Sequence, residues 1–218
     1  MTFSLIGRCA RTGQFGAVAA TSSIAVGARV SHCAAGVGAV LTQHRTDPRL
    51  GPRGLDLLRS GCSAQQAVDA LVASTPHAQW RQIAVLDRTG GPAVFSGAHT
   101  KPAMNQAAGP DVCAIGNILA SGRVPPAMMQ AFQASAEAPL AERLVGALEA
   151  GLAAGGEILP LRSAHLLVVE AHSFPLIDLR VDWDDAPVAA LRALWTRYAP
   201  MTEDFVLRAV DPDGAPVR

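Results

Sequence analysis

Apolar and polar positions alternate from the first residues of the chain. Phe3, Leu5 and Cys9 fall on one side of the segment Thr2–Cys9, and Thr2, Ser4, Ile6 and Arg8 on the other, which is the two-residue period of a β-strand. Thr12-Gly13 reads as a turn and Phe15–Ala20 resumes the extended pattern, so the chain opens as a hairpin. Gly36–Gln43 is a third, largely apolar strand. The period then changes: Pro52 stands near a helix start, Gly61 at its stop, and Ser63 with Gln66 has capping-box spacing ahead of Ala67, Val68, Leu71 and Val72. Ile83–Leu86, Ala93–Phe95 and Val112–Ile115 make a second strand block, with Gly90-Gly91-Pro92 as a turn. Pro125–Ala136 and Pro139–Ala154 read as helices, the second carrying Leu140, Leu144, Val145 and Leu148 at helical spacing and closed by Gly155-Gly156. Strands at His165–Glu170 and Leu176–Trp183 and a helix at Pro187–Tyr198 complete the pattern.

Strand blocks alternating with helical pairs predict an α+β fold in one domain, residues 1–218: two antiparallel sheets packed on each other and flanked by helices, a four-layer αββα sandwich. Strands without polar alternation fit sheets covered on both faces.

Composition narrows the function classes. Half of the 218 residues are apolar and 17% are charged, which excludes a disordered chain. Lys plus Arg balance Asp plus Glu at 18 each, and no segment interleaves basic and aromatic residues, so no nucleic-acid partner is expected. No apolar run reaches the length of roughly 20 residues that spans a bilayer, and the stretch before Arg8 is too short for a signal peptide; the expectation is a cytoplasmic protein without a membrane partner. Cys9, Cys33, Cys62 and Cys113 are scattered and read as buried free thiols. His44, His77, His99, His165 and His172 show no metal-binding spacing, and neither metal nor cofactor is expected. His32 and Cys33, as strand neighbours, point to opposite faces rather than forming a dyad. Asp178 and Asp182 read as the solvated face of a strand, and Gly36 and Gly38 as packing glycines within one.

Candidate chemistry sits at the chain start. Met1 precedes a small residue, so its removal is sterically allowed and would place the Thr2 hydroxyl beside a free α-amine. That amine has a reference pKa of about 7.7 to 8, so at neutral pH a useful share can act as base for its own hydroxyl.

The run Thr2-Phe3-Ser4-Leu5-Ile6, then Gly13-Gln14-Phe15-Gly16-Ala17-Val18-Ala19 and Gly36-Val37-Gly38-Ala39-Val40-Leu41-Thr42-Gln43, resembles the family called domain of unknown function 1028. Gly51-Pro52-Arg53-Gly54-Leu55, Arg81-Gln82 leading into a strand that ends at Asp87, Gly116-Asn117-Ile118-Leu119 and Pro139-Leu140-Ala141-Glu142-Arg143-Leu144 extend the resemblance through most of the chain. It implies a fold of the N-terminal-nucleophile (Ntn) hydrolase type, similar in layering to proteasome β subunits, and names no substrate. Where the family carries a basic, Gly-containing stretch, this chain has Glu157-Ile158-Leu159-Pro160-Leu161-Arg162 ahead of Ser163-Ala164.

On this reading Thr2 is the nucleophile and Asn117, where a strand meets a loop, is the candidate oxyanion donor, with Gln43 a second side-chain amide of the same kind. Ser22 and Ser23, at the end of the returning strand, are candidates to hold the α-amine. Lys101, the only lysine, or Arg29 would supply a cation near the nucleophile. The expected function is an amidohydrolase acting on a small molecule or short peptide, with a homodimer as candidate assembly. The alternative is a non-catalytic binding or assembly protein on the same fold.

Overall fold

The hairpin expected at the start of the chain forms the middle of the larger of two antiparallel sheets. The computed structural model describes residues 2–100 and 103–216. Its strands are β1 (Thr2–Arg8), β2 (Phe15–Thr21), β3 (Ser31–Ala34), β4 (Gly38–His44), β5 (Arg81–Asp87), β6 (Pro92–Ser96), β7 (Met104–Gly109), β8 (Val112–Asn117), β9 (Ser163–Val169) and β10 (Ile177–Val181). The helices are α1 (Leu50–Arg59), α2 (Ala64–Ser74), α3 (Val124–Ala134), α4 (Leu140–Ala153), α5 (Pro187–Tyr198) and α6 (Thr202–Val210). One sheet runs β10-β9-β2-β1-β8-β7 and the other β3-β4-β5-β6, with antiparallel neighbours throughout.

The strand period decides which side chain enters which core. Phe3 and Leu5 of β1 pack with Met128, Phe132, Leu144 and Leu148 of α3 and α4, whereas Ile6 joins Phe15, Ala17, Ala19, Ala39, Leu41, Ala84, Leu86 and Ile115 in a separate cluster of strand residues. Val40, Ile83 and Val85, one position out of phase with Leu41 and Ala84, pack with Leu55, Leu58, Val68 and Leu71 of α1 and α2. The central strands are therefore buried on both faces, which is why they lack polar alternation. Gly7 and Gly16 allow the helices this close: a Cβ at Gly7 would lie 2.4 Å from the Phe132 ring, and one at Gly16 2.5 Å from Leu144.

Several elements differ from the expected pattern. β3 and β7 were not foreseen; β3 has four residues, and β7, Met-Asn-Gln-Ala-Ala-Gly, is a polar edge strand. The strand expected from Gly36 starts at Gly38, because Gly36, at φ 67°, turns the chain between β3 and β4. Gly38 itself is a packing glycine, its Cβ position 2.3 Å from the Leu86 carbonyl. The last strand stops at Val181 and leaves Trp183 61% exposed. Asp178 is no simple solvated side chain: it accepts from Arg180 and lies 3.0 Å from Nε2 of the buried His165. The four thiols are free, but only Cys9 and Cys113 are buried; Cys33 and Cys62 are partly exposed. The Ser63–Gln66 capping box forms reciprocally, as its spacing predicts. No helix among the described residues is long and apolar enough to cross a membrane.

Candidate active site

Antiparallel pairing brings one end of each central strand to a single edge of the two sheets. β1 begins there at Thr2, β2 ends at Thr21, β8 ends at Asn117, β4 ends just beyond Gln43, β5 begins just before Gln82 and β6 ends at Ser96. Thr2 lies directly opposite Asn117, so the two side chains share a face with Cβ atoms about 5 Å apart. That face also carries Ser4 and Ile6, and it looks toward the smaller sheet.

A hydrogen-bonded amide cluster fills the space beneath Thr2. The Ser4 hydroxyl donates to Gln43 Oε1 at 2.6 Å, and Gln43 Nε2 donates to Gln82 Oε1 at 2.8 Å and to the Thr2 carbonyl at 3.3 Å. Gln82 Oε1 also accepts from Asn117 Nδ2 at 3.0 Å, while Gln82 Nε2 donates to Ser96 Oγ at 3.0 Å and the Gly116 carbonyl at 3.1 Å. Because Gln82 Oε1 accepts twice, the orientations of Gln43 and Asn117 are set. Asn117 keeps one N–H beyond that bond, and its Oδ1, fully buried, has no hydrogen-bond partner. Gln43 and Gln82 are likewise fully buried, and Thr2 is 5% exposed.

The strand exits here are abrupt. Ile118, after Asn117, has φ 52°, and His44, after Gln43, has φ 73°. A β-branched residue in the left-handed region costs on the order of 1–3 kcal/mol, a cost carried by surrounding packing. His44 places Nδ1 3.0 Å from the Trp80 carbonyl.

On the other side of Thr2 stands a carboxylate. The Thr2 hydroxyl donates to Thr21 Oγ1 at 3.3 Å, and Thr21 in turn hydrogen-bonds Glu157. The Ser22 backbone N–H donates to Glu157 Oε1 and Oε2 at 3.3 and 3.2 Å. Glu157 is held there by a bridge to Leu119 and by the Ile158 N–H, which donates to the Ile118 carbonyl at 3.2 Å. Burial pushes the Glu157 carboxyl up to about 7, against the opposing pull of Ser22, the positive amino terminus and Thr21.

Of the residues singled out in the sequence, Thr2, Asn117 and Gln43 converge, and Ser22 reaches the cluster through Glu157. Ser23 is directed elsewhere: its Oγ accepts from Arg29 at 2.9 Å. Arg29 also donates to the Ile24 and Ala25 carbonyls, bracing the loop after β2. Lys101 lies outside the described residues. Sequence reasoning missed Ser4, Thr21, Gln82, Ser96 and Glu157. A signal for Gln82 existed, since a glutamine leads directly into the apolar run Ile83–Leu86; Glu157 was marked only by its place after Gly155-Gly156, at the start of the segment that departs from the family's basic stretch.

His32 packs against Gly51 of α1 while Cys33 lies against the cluster between the sheets, so they form no dyad. Burial raises the Cys113 thiol far above its ordinary range, which makes it a poor nucleophile. A cavity of about 570 Å³ lies at the opposite end of the larger sheet, among Gln14, Val168, Leu176, Trp195 and Glu203, and includes no group of the Thr2 cluster.

Known proteins share the fold over most of the chain. A solved structure, protein SPO2555 from Silicibacter pomeroyi, overlays with a TM-score of 0.84 at 31% identity, covering 91% of this chain and 89% of that one. The Anbu (ancestral beta-subunit) structure from Yersinia bercovieri aligns over 99% of both chains, but at 10% identity and a TM-score of 0.38 it carries no argument. No curated protein matches. The model of the family of unknown function DUF1028 matches residues 2–191, from the candidate nucleophile into α5, and the chain belongs to that family.

Proposed function

We propose that the two sheets and their helices form the four-layer αββα sandwich of the Ntn type, and that the protein is an amidohydrolase whose nucleophile is Thr2, exposed as the first residue by removal of Met1. The observation that carries this reading is the convergence of the Thr2 hydroxyl, the Asn117 amide and a buried polar cluster at one edge of otherwise apolar sheets. The fold has no need of such a cluster, since buried polar groups cost free energy unless every partner is in place.

The chemistry is acyl transfer. The neutral α-amine takes the Oγ1 proton as Oγ1 bonds to the amide carbonyl carbon, and the carbonyl electron pair moves onto oxygen. The second Asn117 N–H serves the resulting oxyanion. The ammonium then protonates the leaving amine, and water, activated by the same amine, releases the acyl group. The substrate is a small amide or short peptide. The low exposure of Thr2 favours the alternative, a non-catalytic binding protein, only if Met1 is retained.

The test needs no known substrate. A β-lactone acylates a reactive threonine by ring opening and adds its whole mass. Untagged protein lacking Met1 should take up one equivalent on the peptide Thr2–Arg8, at a rate that rises with pH as the amine loses its proton. Thr2→Ala should take up none there, and an uncleaved N-terminal extension should also abolish the reaction. Retention of Met1 in all molecules, or equal labelling of Thr2→Ala, would overturn the reading.

A further inference from the structure

Glu157 is a buried carboxylate that the acyl-transfer scheme above leaves unused. Its two oxygens accept from the Ser22 N–H, and Thr21 alone stands between it and the Thr2 hydroxyl. Among the described residues it makes no ion pair, although several cations lie on neighbouring segments. Arg29 is committed to Ser23, Ile24 and Ala25; Arg162 pairs with Asp185; and Arg123 hydrogen-bonds Ser121. From the smaller sheet, His44 is the titratable group that feels the amino terminus, and burial holds it toward its neutral form. Lys101 lies outside the described residues; the positive amino terminus, which is the Met1 amine in the unprocessed chain, favours the ionised Glu157 carboxylate, and removal of Met1 would pass that role to the Thr2 α-amine.

We propose that Glu157 is a positioning residue for the Thr2 α-amine: fixed by Ser22 and Thr21, its carboxylate orients the hydroxyl through Thr21 and neutralises the ammonium formed when the amine takes the Oγ1 proton. No other reactant is required. One proton moves from Oγ1 to nitrogen and Oγ1 bonds to the carbonyl carbon, while Glu157, ionised above about pH 7, remains a carboxylate through the step. The charge separation of the transition state, ammonium against oxyanion, is thereby braced at both ends, by Glu157 and by Asn117. This inference rests on Thr2 being the processed terminus.

The chain contains a single lysine, so the α-amine has one competitor for amine reagents. Trace acetylation with acetic anhydride across a pH series, read on the peptide Thr2–Arg8, gives the ionisation midpoint of the amine whether or not Thr2 is a nucleophile. Glu157→Gln keeps an oxygen to accept from Ser22 but removes the charge, and it should lower that midpoint by about one to three units, the usual effect of an opposite charge at close range. Glu157→Asp should restore part of the shift. In the unsubstituted protein, full acetylation of the amine should raise the Glu157 carboxyl titration seen by ¹³C NMR, a reading independent of whether the Gln variant folds. A processed chain whose midpoint does not move in folded Glu157→Gln, or whose Glu157 carboxyl ignores acetylation, sinks this proposal alone. Retained Met1 would instead sink the nucleophile reading beneath it.

Discussion

The space between the two sheets has two ends of opposite character. Away from Thr2 it is filled by apolar side chains, the large Ile6, Phe15 and Leu86 set among the small Ala17, Ala39 and Cys113. At the Thr2 end the same strands contribute Thr2, Ser4, Thr21, Gln43, Gln82 and Asn117, all buried. Each buried amide left without a partner would cost about 1–3 kcal/mol, whereas the apolar end incurs no such penalty. One end is accounted for by folding alone; the other is polar at a stability risk that folding does not require, which is the pattern of a functional site.

Substitutions at the two ends should separate stability from reactivity. Leu86→Ala, at the apolar end, should cost about 2–5 kcal/mol in chemical denaturation and leave β-lactone labelling of Thr2 in the folded protein within about twofold. A comparable loss of labelling would erase the distinction between the ends. Asn117→Ala, at the polar end, should slow labelling about a hundredfold to a thousandfold, as removal of an oxyanion donor does, with a much smaller stability change. If the melting temperature fell while the rate held, Asn117 would be a strand-end structural residue.

Gln82→Met keeps size but orphans the N–H of Asn117 and weakens the hold on Gln43, and about 1–3 kcal/mol of stability should be lost. Because Gln43 and Gln82 share one hydrogen bond, adding Gln43→Met should cost less than the sum of the single effects in a double-mutant cycle. Strict additivity would mean that the cluster does not act as a unit. The smallest effect concerns pH. Glu157 titrates in the fold at about 7 against an ordinary 4.5, so the native state binds more protons than the unfolded chain between those values. Its contribution is therefore most favourable below pH 4.5 and is lost as pH rises to about 7. Glu157→Gln should flatten that slope in urea titrations at pH 5 and pH 8, and an unchanged slope would place Glu157 in water rather than in the site.

Local chemistry alone determined much of this protein. The opening hairpin, the Ser63–Gln66 cap and the helix Pro187–Tyr198 all follow from periods and caps within a few residues, and they stand in the structure as read. β7 escaped because an edge strand of polar and small residues carries no apolar alternation, and α6 because none of its residues is buried. Thr2, Gln43 and Asn117 were legible as polar residues at strand ends, but their meeting was not. Gln43 finds Gln82 across 39 residues of sequence through the β4–β5 register, and Ser22, just past β2, finds Glu157 across 135. A strand's own period fixes which face a side chain takes. Only the pairing of distant strands, which no local preference encodes, decides what stands opposite it.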